Sequence, residues 1–260
     1  MAVSSRTIPP MPTQIALLHG FTQTGQSWDP VRTRLLASPA MRTDLEIIAP
    51  DLAGHGSQSH RPLTLPVAAA EFAEQVGPSH LVGYSMGGRL ALHIATAEPL
   101  AVRSLVLISS TAGIDDPAER ADRRTADRDL AERIEQIGVE SFVEWWLSQP
   151  MFATLTEESS DYRLDNTAAG LAGSLRLAGT GAHEPLWDAL GELRVPTLII
   201  TGALDTKFTA LGERLAASID HARHIIVAGS GHAVHLEQPE LVVEHLADWF
   251  AEVDPAGSGG

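Results

Sequence analysis

Short runs of aliphatic residues recur along the chain, separated by longer segments in which apolar residues repeat at helical spacing. The aliphatic runs are rich in Ile, Leu and Val and do not alternate with polar residues, which is typical of strands in a sheet covered on both faces. We therefore expect six buried strands, at Ile15–Leu18, Leu45–Ala49, His80–Gly83, Ser104–Ile108, Thr197–Thr201 and Arg223–Val227.

The segments between these runs predict helices with one apolar face. Apolar residues stand at i, i+3 and i+4 in four of them, which are Val67–Val76, Met86–Ala97, Ala210–Ala217 and Glu240–Phe250. Alternation of strands and helices favours βαβ units, whose strands are parallel. The predicted fold class is therefore α/β, with a mostly parallel, doubly wound sheet and helices on both faces.

One stretch of about 80 residues, 113–194, interrupts this alternation. It is helical in character, and a strongly charged part, Glu119–Ile137, precedes an aromatic part, Val139–Leu147. Because ligands of open α/β sheets bind at the carboxyl ends of the strands, we interpret it as a cap over that edge rather than an elaboration without a direct role. The predicted division is a core of 1–112 and 195–254, a helical cap at 113–194 and a flexible tail at 255–260.

Composition and charge narrow the class of protein. The 260 residues are 44% hydrophobic and 20% charged, as in ordinary globular enzymes. The absence of cysteine excludes disulfides, a cysteine nucleophile and thiolate metal sites. A formal net charge of -15 argues against nucleic acid as a partner, because most of the surface would repel phosphate.

The remaining bulk features favour a cytoplasmic protein. No apolar run reaches the ~18 to 20 residues that span a membrane, and Met1–Thr13 lacks the apolar core of a secretory signal. Lys207 is the only lysine among the 18 Lys and Arg residues, so we expect arginine to hold any anion inside the protein. A monomer and a homodimer both stay open.

A Gly-x-Ser-x-Gly pattern lies between a predicted strand and a predicted helix, with Ser85 at its centre. A serine on such a sharp strand-to-helix turn has a strained backbone, so its neighbours Gly83 and Gly87 must be small. The turn also places the hydroxyl at a helix N-terminus, where developing negative charge is favoured. The pattern alone is weak, and its strand–helix context makes Ser85 a candidate catalytic residue.

Asp205 and His232 complete the chain order Ser, Asp, His that is typical of this kind of site. Asp205 follows the strand Thr197–Thr201 by a short loop, and His232 follows the last predicted strand between small residues. Each alone is equally well a turn residue or a solvated loop residue. Three residues in this order, each just after a strand, favour a catalytic triad.

Other histidines are weaker candidates for the base. His235 is close to His232 but lies in or beside the next predicted helix, and His55 precedes the serine in a glycine-bounded loop, where it could touch substrate. No His, Asp and Glu cluster has metal-ligand spacing, and no phosphate-binding glycine pattern is present, so we expect no metal and no nucleotide.

The segment after the first strand predicts an oxyanion hole. Gly20 permits a turn that points the backbone N–H of Phe21 toward Ser85, and the N–H of Met86 would be the second donor. The alternative is a plain turn.

Several short segments carry a resemblance to known proteins. Four resemble the α/β-hydrolase superfamily: His19-Gly20-Phe21, Asp51-Leu52-Ala53-Gly54-His55-Gly56, Gly83-Tyr84-Ser85-Met86-Gly87-Gly88-Arg89 and Gly231-His232. Others look like one subfamily, the 2-succinyl-6-hydroxy-2,4-cyclohexadiene-1-carboxylate synthases of menaquinone biosynthesis. These are Glu119-Arg120 through Arg123-Arg124 to Asp127, Trp146 through Phe152, Arg163 to Asn166, Gly170 through Arg176 with Gly179 to Gly181, and Asp205 through Phe208.

The resemblance implies a lyase of the α/β-hydrolase fold that needs no cofactor. Its reaction eliminates pyruvate from 2-succinyl-5-enolpyruvyl-6-hydroxy-3-cyclohexene-1-carboxylate, a small anion with several carboxylates. The triad serine is implied to act as a base rather than as an acylating nucleophile, which an Asp205–His232 pair can support. The substrate-binding residues that the resemblance implies are Tyr84, Arg89, Arg124, Trp146 and Arg163.

Charge offers a physical check on this expectation. A multi-carboxylate ligand in an acidic protein needs local positive groups, and arginine forks pair bidentately with carboxylates. Arg89 lies one helical turn after Ser85. The arginines at 120–133 can also be read as a solvated helix face with i, i+4 ion pairs, because Glu119, Asp122, Asp127 and Asp129 are interleaved with them.

Two other functions stay open at this point. A serine carboxylesterase or carbon–carbon bond hydrolase would use the same triad but would not need three buried arginines. A non-catalytic binding protein on this fold would have no use for the triad. The short, proline-rich segment before Ile15 further indicates that the first hairpin typical of the superfamily is absent or reduced.

Overall fold

The computed structural model describes residues 13–39, 41, 45–155 and 161–254. Within them six strands form one sheet in the order β2-β1-β3-β4-β5-β6. Every neighbouring pair is parallel, which confirms the predicted α/β class. The strands are β1 (Thr13–Leu18), β2 (Leu45–Ile48), β3 (Ser79–Tyr84), β4 (Val102–Ile108), β5 (Thr197–Gly202) and β6 (Arg223–Val227).

Helices cover both faces of the sheet. The described helices are α1 (Asp29–Ala37), α2 (Leu65–Val76), α3 (Met86–Ala97), α4 (Pro117–Leu147), α5 (Ala168–Ala178), α6 (Thr206–Ser218), α7 (Val234–Glu237) and α8 (Pro239–Val253). Side chains of β1 alternate between two cores: Ile15 and Leu17 pack with α1 and α8, and Ala16 and Leu18 pack with α2 and α3. This two-sided burial explains why the strands carry apolar residues at successive positions.

Helix α1 has no counterpart among the four helices with predicted bounds. Only Val31 and Leu35 of this helix are buried, and the rest of it is largely polar. A helix that buries one pair of side chains at i, i+4 has too narrow an apolar stripe for periodicity to reveal.

The residues between β4 and β5 fold as helices, and no strand occurs in the described part of this stretch. Gly138 has a non-helical φ of 79° and divides α4 into the charged and the aromatic parts that the sequence distinguishes. Phe142 of the second part packs with Leu171 and Leu175 of α5 in a small core of their own. The bounds 113–194 of a separate cap stay a prediction.

Two expectations lie outside the described residues. The reduced first hairpin concerns residues 1–12, and the flexible tail concerns residues 255–260. In the described part of the chain no helix is both long enough and apolar enough to cross a membrane.

Backbone segments pack closely where β3 turns into α3. A Cβ atom at Gly87 would overlap the carbonyl oxygen of Leu18, and one at Gly83 would overlap the backbone of Gly87. The missing side chains therefore allow the first turn of α3 to rest directly on the carboxyl end of β1. This contact fixes the position of the residue between the two glycines, Ser85.

Gly87→Ala should destabilise the fold, because backbone atoms of β1 would have to move to admit the methyl group. We expect a loss of about 1 to 3 kcal/mol in the free energy of unfolding, measured by urea titration. Gly191→Ala is the matched control, since a Cβ atom there meets nothing within 4 Å. Equal stability of the two variants would contradict this account of the turn.

Candidate active site

A pocket of about 340 Å³ lies between the carboxyl ends of the strands and the helices α4 and α5. Residues that follow five different strands, β1, β3, β4, β5 and β6, supply its floor, as expected for a ligand site in an open α/β sheet. The floor residues are Phe21, Ser85, Met86, Ser110, Thr111, Asp205 and His232, and the residues from α4 and α5 include Arg123, Trp146, Ser174, Leu175 and Ala178.

Ser85 occupies the strained conformation that the sequence predicts for it. Its φ of 50° and ψ of -105° lie outside the regions that non-glycine residues favour. Two hydrogen bonds hold the turn: the Ser85 N–H donates to the Ile108 carbonyl at 2.9 Å, and the Ser110 hydroxyl donates to the Ser85 carbonyl at 2.9 Å. The strained backbone presents the side chain to the pocket.

Asp205 and His232 form a hydrogen-bonded pair on the pocket floor. The His232 Nδ1 atom lies 2.7 Å from the Asp205 Oδ2 atom. Burial opposes ionisation of Asp205, but hydrogen bonds from His232 and from the Phe208 N–H outweigh it and hold the pKa of the carboxyl below its ordinary value. An ionised Asp205 accepts the Nδ1 proton, which leaves Nε2 of His232 free to exchange a proton with a substrate or a serine.

Aromatic rings enclose the imidazole of His232. The ring centroid of Phe208 lies 4.4 Å from that of His232, and those of Tyr84 and Phe152 lie at 5.3 and 6.1 Å. The His232 side chain is almost fully buried as a result. A ring packed in this way is restricted to one orientation, which proton transfer requires.

The loop after β1 carries Phe21 to the pocket wall beside Met86. The carboxamide oxygen of Gln23 accepts a hydrogen bond from the Gly20 N–H at 2.9 Å, and the Gln23 N–H donates to the Gly20 carbonyl. The loop is therefore fixed from within. Its position fits the predicted oxyanion hole, and donation by the N–H groups of Phe21 and Met86 stays a prediction.

Arg163 lies behind this loop and is not on the pocket wall. Its guanidinium is buried and donates to the Thr22 hydroxyl at 2.6 Å, while the Asn166 carboxamide donates to the Thr22 carbonyl at 2.9 Å. Thr22 has a φ of 67°, which a threonine adopts only when its surroundings enforce it. The geometry thus gives Arg163 contacts with the loop, whereas the resemblance implied contacts with substrate.

Two guanidinium groups and one ammonium group line the pocket, those of Arg89, Arg123 and Lys207. Arg89 is 8% exposed and donates to the Ala178 carbonyl at 2.6 Å. Burial and the nearby charge of Arg123 lower the pKa of Arg89 to about 10, so it keeps its charge at neutral pH. Among the described residues Arg89 has no carboxylate partner, which leaves its charge available to an anion.

Arg123 lines the pocket, whereas the resemblance implied Arg124. Arg123 lines the pocket and its Nε donates to Asp127 at 2.8 Å, whereas Arg124 is exposed and its Nε donates to the Gly181 carbonyl at 3.0 Å. Successive residues of an α-helix point about 100° apart, so the two side chains leave α4 in different directions. The sequence alone does not distinguish them, because Asp127 stands at i+4 from Arg123 and at i+3 from Arg124, and both spacings allow an ion pair.

Two further residues with predicted contacts lie off the wall. Tyr84 is buried beneath the pocket against His232 and His235, and burial raises the pKa of its hydroxyl above the usual range. His55 is buried against His19 and Phe21 and does not line the pocket. Trp146 does line it, as expected. Within the described ranges no group of three His, Asp or Glu residues could hold a metal ion.

A family model described as the alpha/beta hydrolase family matches residues 15–245. The chain therefore belongs to the alpha/beta hydrolase family, which confirms the expectation drawn from the sequence.

Individual proteins within this family are similar to the chain over nearly its whole length. A protein of Bacillus subtilis (strain 168), provisionally named 2-succinyl-6-hydroxy-2,4-cyclohexadiene-1-carboxylate synthase, is 36% identical over 256 residues, which span 92% of this chain and 90% of that protein. The enzyme of that name from Salmonella heidelberg (strain SL476) is 28% identical over 95% of this chain and 98% of its own. Among solved structures, MenH from S. aureus superposes with a TM-score of 0.85 at 26% identity, over 94% of this chain and 95% of that one.

Buried histidines near the site make the stability of the fold depend on pH. Burial lowers the pKa of His19 to about 4 and that of His55 to about 3, from 6.5. Below pH 6.5 the unfolded chain binds protons that the folded chain refuses, so the free energy of unfolding should fall as pH drops from about 6.5 to about 4. Each residue contributes up to ~1.4 kcal/mol per pH unit.

Urea unfolding measured across this pH range tests the assignment. His55→Gln should give a shallower dependence on pH than the wild type, and the matched variant of an exposed histidine, His60→Gln, should leave the slope unchanged. A His55→Gln slope equal to that of the wild type would show that His55 titrates normally in the folded protein.

Proposed function

We propose that the chain is a lyase that eliminates pyruvate from 2-succinyl-5-enolpyruvyl-6-hydroxy-3-cyclohexene-1-carboxylate in menaquinone biosynthesis. The observation that carries the proposal is the cationic wall formed by Arg89, Arg123 and Lys207 beside Ser85, in a chain whose net charge is -15. The names of the relatives from Bacillus subtilis and Salmonella support the same activity. The proposal extends to a cytoplasmic location.

The charges of the pocket suit a small ligand with several carboxylates. Arg89 lies on α3 and Arg123 lies on α4, and both line the pocket. The two guanidinium groups can therefore contact a ligand from different helices. Each planar fork can bind one carboxylate with two hydrogen bonds. Trp146 and Phe21, whose ring centroids lie 5.5 Å apart, give the ring of the ligand an apolar surface.

The proposed chemistry is a proton abstraction followed by loss of a leaving group. Ser85 Oγ removes the ring proton next to the succinyl carbonyl, and its own proton passes to Nε2 of His232. The electron pair moves through the ring double bond, and the bond between the ring and the enolpyruvyl oxygen breaks. Enolpyruvate leaves and becomes pyruvate when it takes a proton.

The site supplies what each step requires. Asp205 stabilises the imidazolium that forms on His232, since its carboxylate accepts the Nδ1 proton at 2.7 Å. Negative charge gathers on the succinyl carbonyl oxygen as the ring proton leaves. The N–H groups of Phe21 and Met86 are the donors proposed for that oxygen, in a pocket where burial strengthens the hydrogen bonds.

Purified protein given the enolpyruvyl precursor should release pyruvate, measured by coupling to lactate dehydrogenase. Ser85→Ala should lower the rate by roughly 10²–10⁴-fold, because the base is lost while the cationic wall stays intact. Rapid turnover of simple aryl esters without release of pyruvate would overturn the proposal in favour of the serine hydrolase alternative. A Ser85→Ala variant with unchanged activity would exclude the triad.

Neighbouring arginines of α4 provide a matched pair of variants. Arg123→Gln should raise KM for the precursor about 10- to 100-fold, because a hydrogen-bonded charge contact is lost. Arg124→Gln should change KM by less than about threefold, since Arg124 is exposed and its side chain bonds only the Gly181 carbonyl among the described residues. A larger increase in KM for Arg124→Gln than for Arg123→Gln, with comparable melting temperatures, would indicate that Arg124 binds the substrate and Arg123 does not.

A further inference from the structure

The loop that carries His232 is tied to a carboxylate five residues further along the chain. Glu237, at the end of the short helix α7, turns its side chain back toward this loop. Its Oε2 atom accepts a hydrogen bond from the Gly231 N–H at 2.6 Å, and its Oε1 atom accepts one from the Ala233 N–H at 2.9 Å. The two N–H groups belong to the residues on either side of His232.

This arrangement uses both oxygens of one carboxylate. The Ser230 hydroxyl donates a third hydrogen bond, to Oε2 at 3.2 Å. Hydrogen bonds to an ionised acceptor are roughly twice as strong as those between neutral groups. Because the loop is held at both neighbours of His232, the backbone at His232 has little freedom to rotate. This restricts the movement of the His232 side chain.

The other side of the same loop rests on the turn that carries Asp205. The Leu204 N–H donates to the Ser230 carbonyl at 2.9 Å, and a Cβ atom at Gly202 would overlap the carbonyl of Gly231. The loop that carries His232 therefore packs between the turn at Asp205 on one side and the Glu237 carboxylate on the other. The separation between His232 Nδ1 and Asp205 Oδ2 depends on both contacts.

We infer that Glu237 is a positioning residue, whose carboxylate fixes the His232 backbone so that the imidazole meets Asp205 and Ser85 together. Glu237 does not line the pocket, and its hydrogen bonds are with Ser230, Gly231 and Ala233. The inference rests on the proposed function, because only a working proton relay makes the orientation of His232 matter for the rate. Loss of this positioning slows turnover without weakening the binding of substrate.

Glu237→Gln tests the inference with little change in size. The amide keeps one oxygen acceptor, but its NH2 group must face one of the two backbone N–H groups. One of the two hydrogen bonds to the residues beside His232 is therefore lost. We expect kcat for release of pyruvate to fall about 10- to 100-fold while KM changes less than about threefold, because Arg89 and Arg123 are untouched. Glu240→Gln is the matched control: Glu240 is exposed, bonds Arg34 and does not contact the loop.

A second variant covers the case in which Glu237→Gln does not fold. Glu237→Asp keeps the charge but is one methylene shorter, so it reaches only one of the two N–H groups. Glu237→Asp should fold and give a kcat below that of the wild type and above that of a protein without both hydrogen bonds. Wild-type kcat in either folded variant would overturn the inference, and so would a lower melting temperature with kcat unaffected.

A measurement without substrate separates this inference from the proposed function. The proton between His232 Nδ1 and Asp205 should give a far-downfield resonance in the NMR spectrum of the wild type, and it should shift or broaden in Glu237→Gln but not in Glu240→Gln. If the wild type releases no pyruvate, the proposed function fails. The resonance still tests whether Glu237 positions His232 against Asp205. An unchanged resonance in Glu237→Gln would overturn the inference even if the enzyme is active.

Discussion

The contact of the first turn of α3 with the carboxyl end of β1 is the constraint on which the site depends. It is possible only because Gly83 and Gly87 carry no side chains. This contact holds Ser85 at a positive φ, aims its hydroxyl into the pocket and brings Met86 beside Phe21. The packing of two buried strands thus supports the strained backbone of Ser85, which lies at the centre of the sheet rather than in a free loop.

The elements that rest on local patterns could be predicted from the sequence. All six strands and the turn at Ser85 follow from aliphatic runs and two glycines, and the confirmed fold brings Ser85, Asp205 and His232 to one pocket. Contacts between residues far apart in the chain could not be predicted in the same way. Arg163 bonds Thr22 from 141 positions away, and nothing near either residue in the sequence indicates that pairing. The choice between Arg123 and Arg124 depended on helix rotation, which a short motif does not fix.

Charge distribution links the structure to the proposed elimination. The chain has a formal net charge of -15, yet the pocket holds Arg89, Arg123 and Lys207 close to Ser85, Asp205 and His232. Such a field attracts anions and concentrates them at one opening. Two further residues act from behind the wall: Asp127 fixes Arg123 through its Nε, and Arg163 braces the loop next to Phe21. Under the proposed function, these cations favour a ligand with carboxylates beside a base at Ser85.

The central claim is that Ser85 removes a ring proton and forms no covalent bond to the substrate. The most direct test compares the enolpyruvyl precursor with the same compound carrying deuterium at the ring position next to the succinyl carbonyl, with intact-protein mass spectrometry during turnover. The account predicts slower release of pyruvate from the deuterated compound and an unmodified protein mass. Equal rates together with an acyl group on Ser85 would contradict it and identify the site as that of a serine hydrolase.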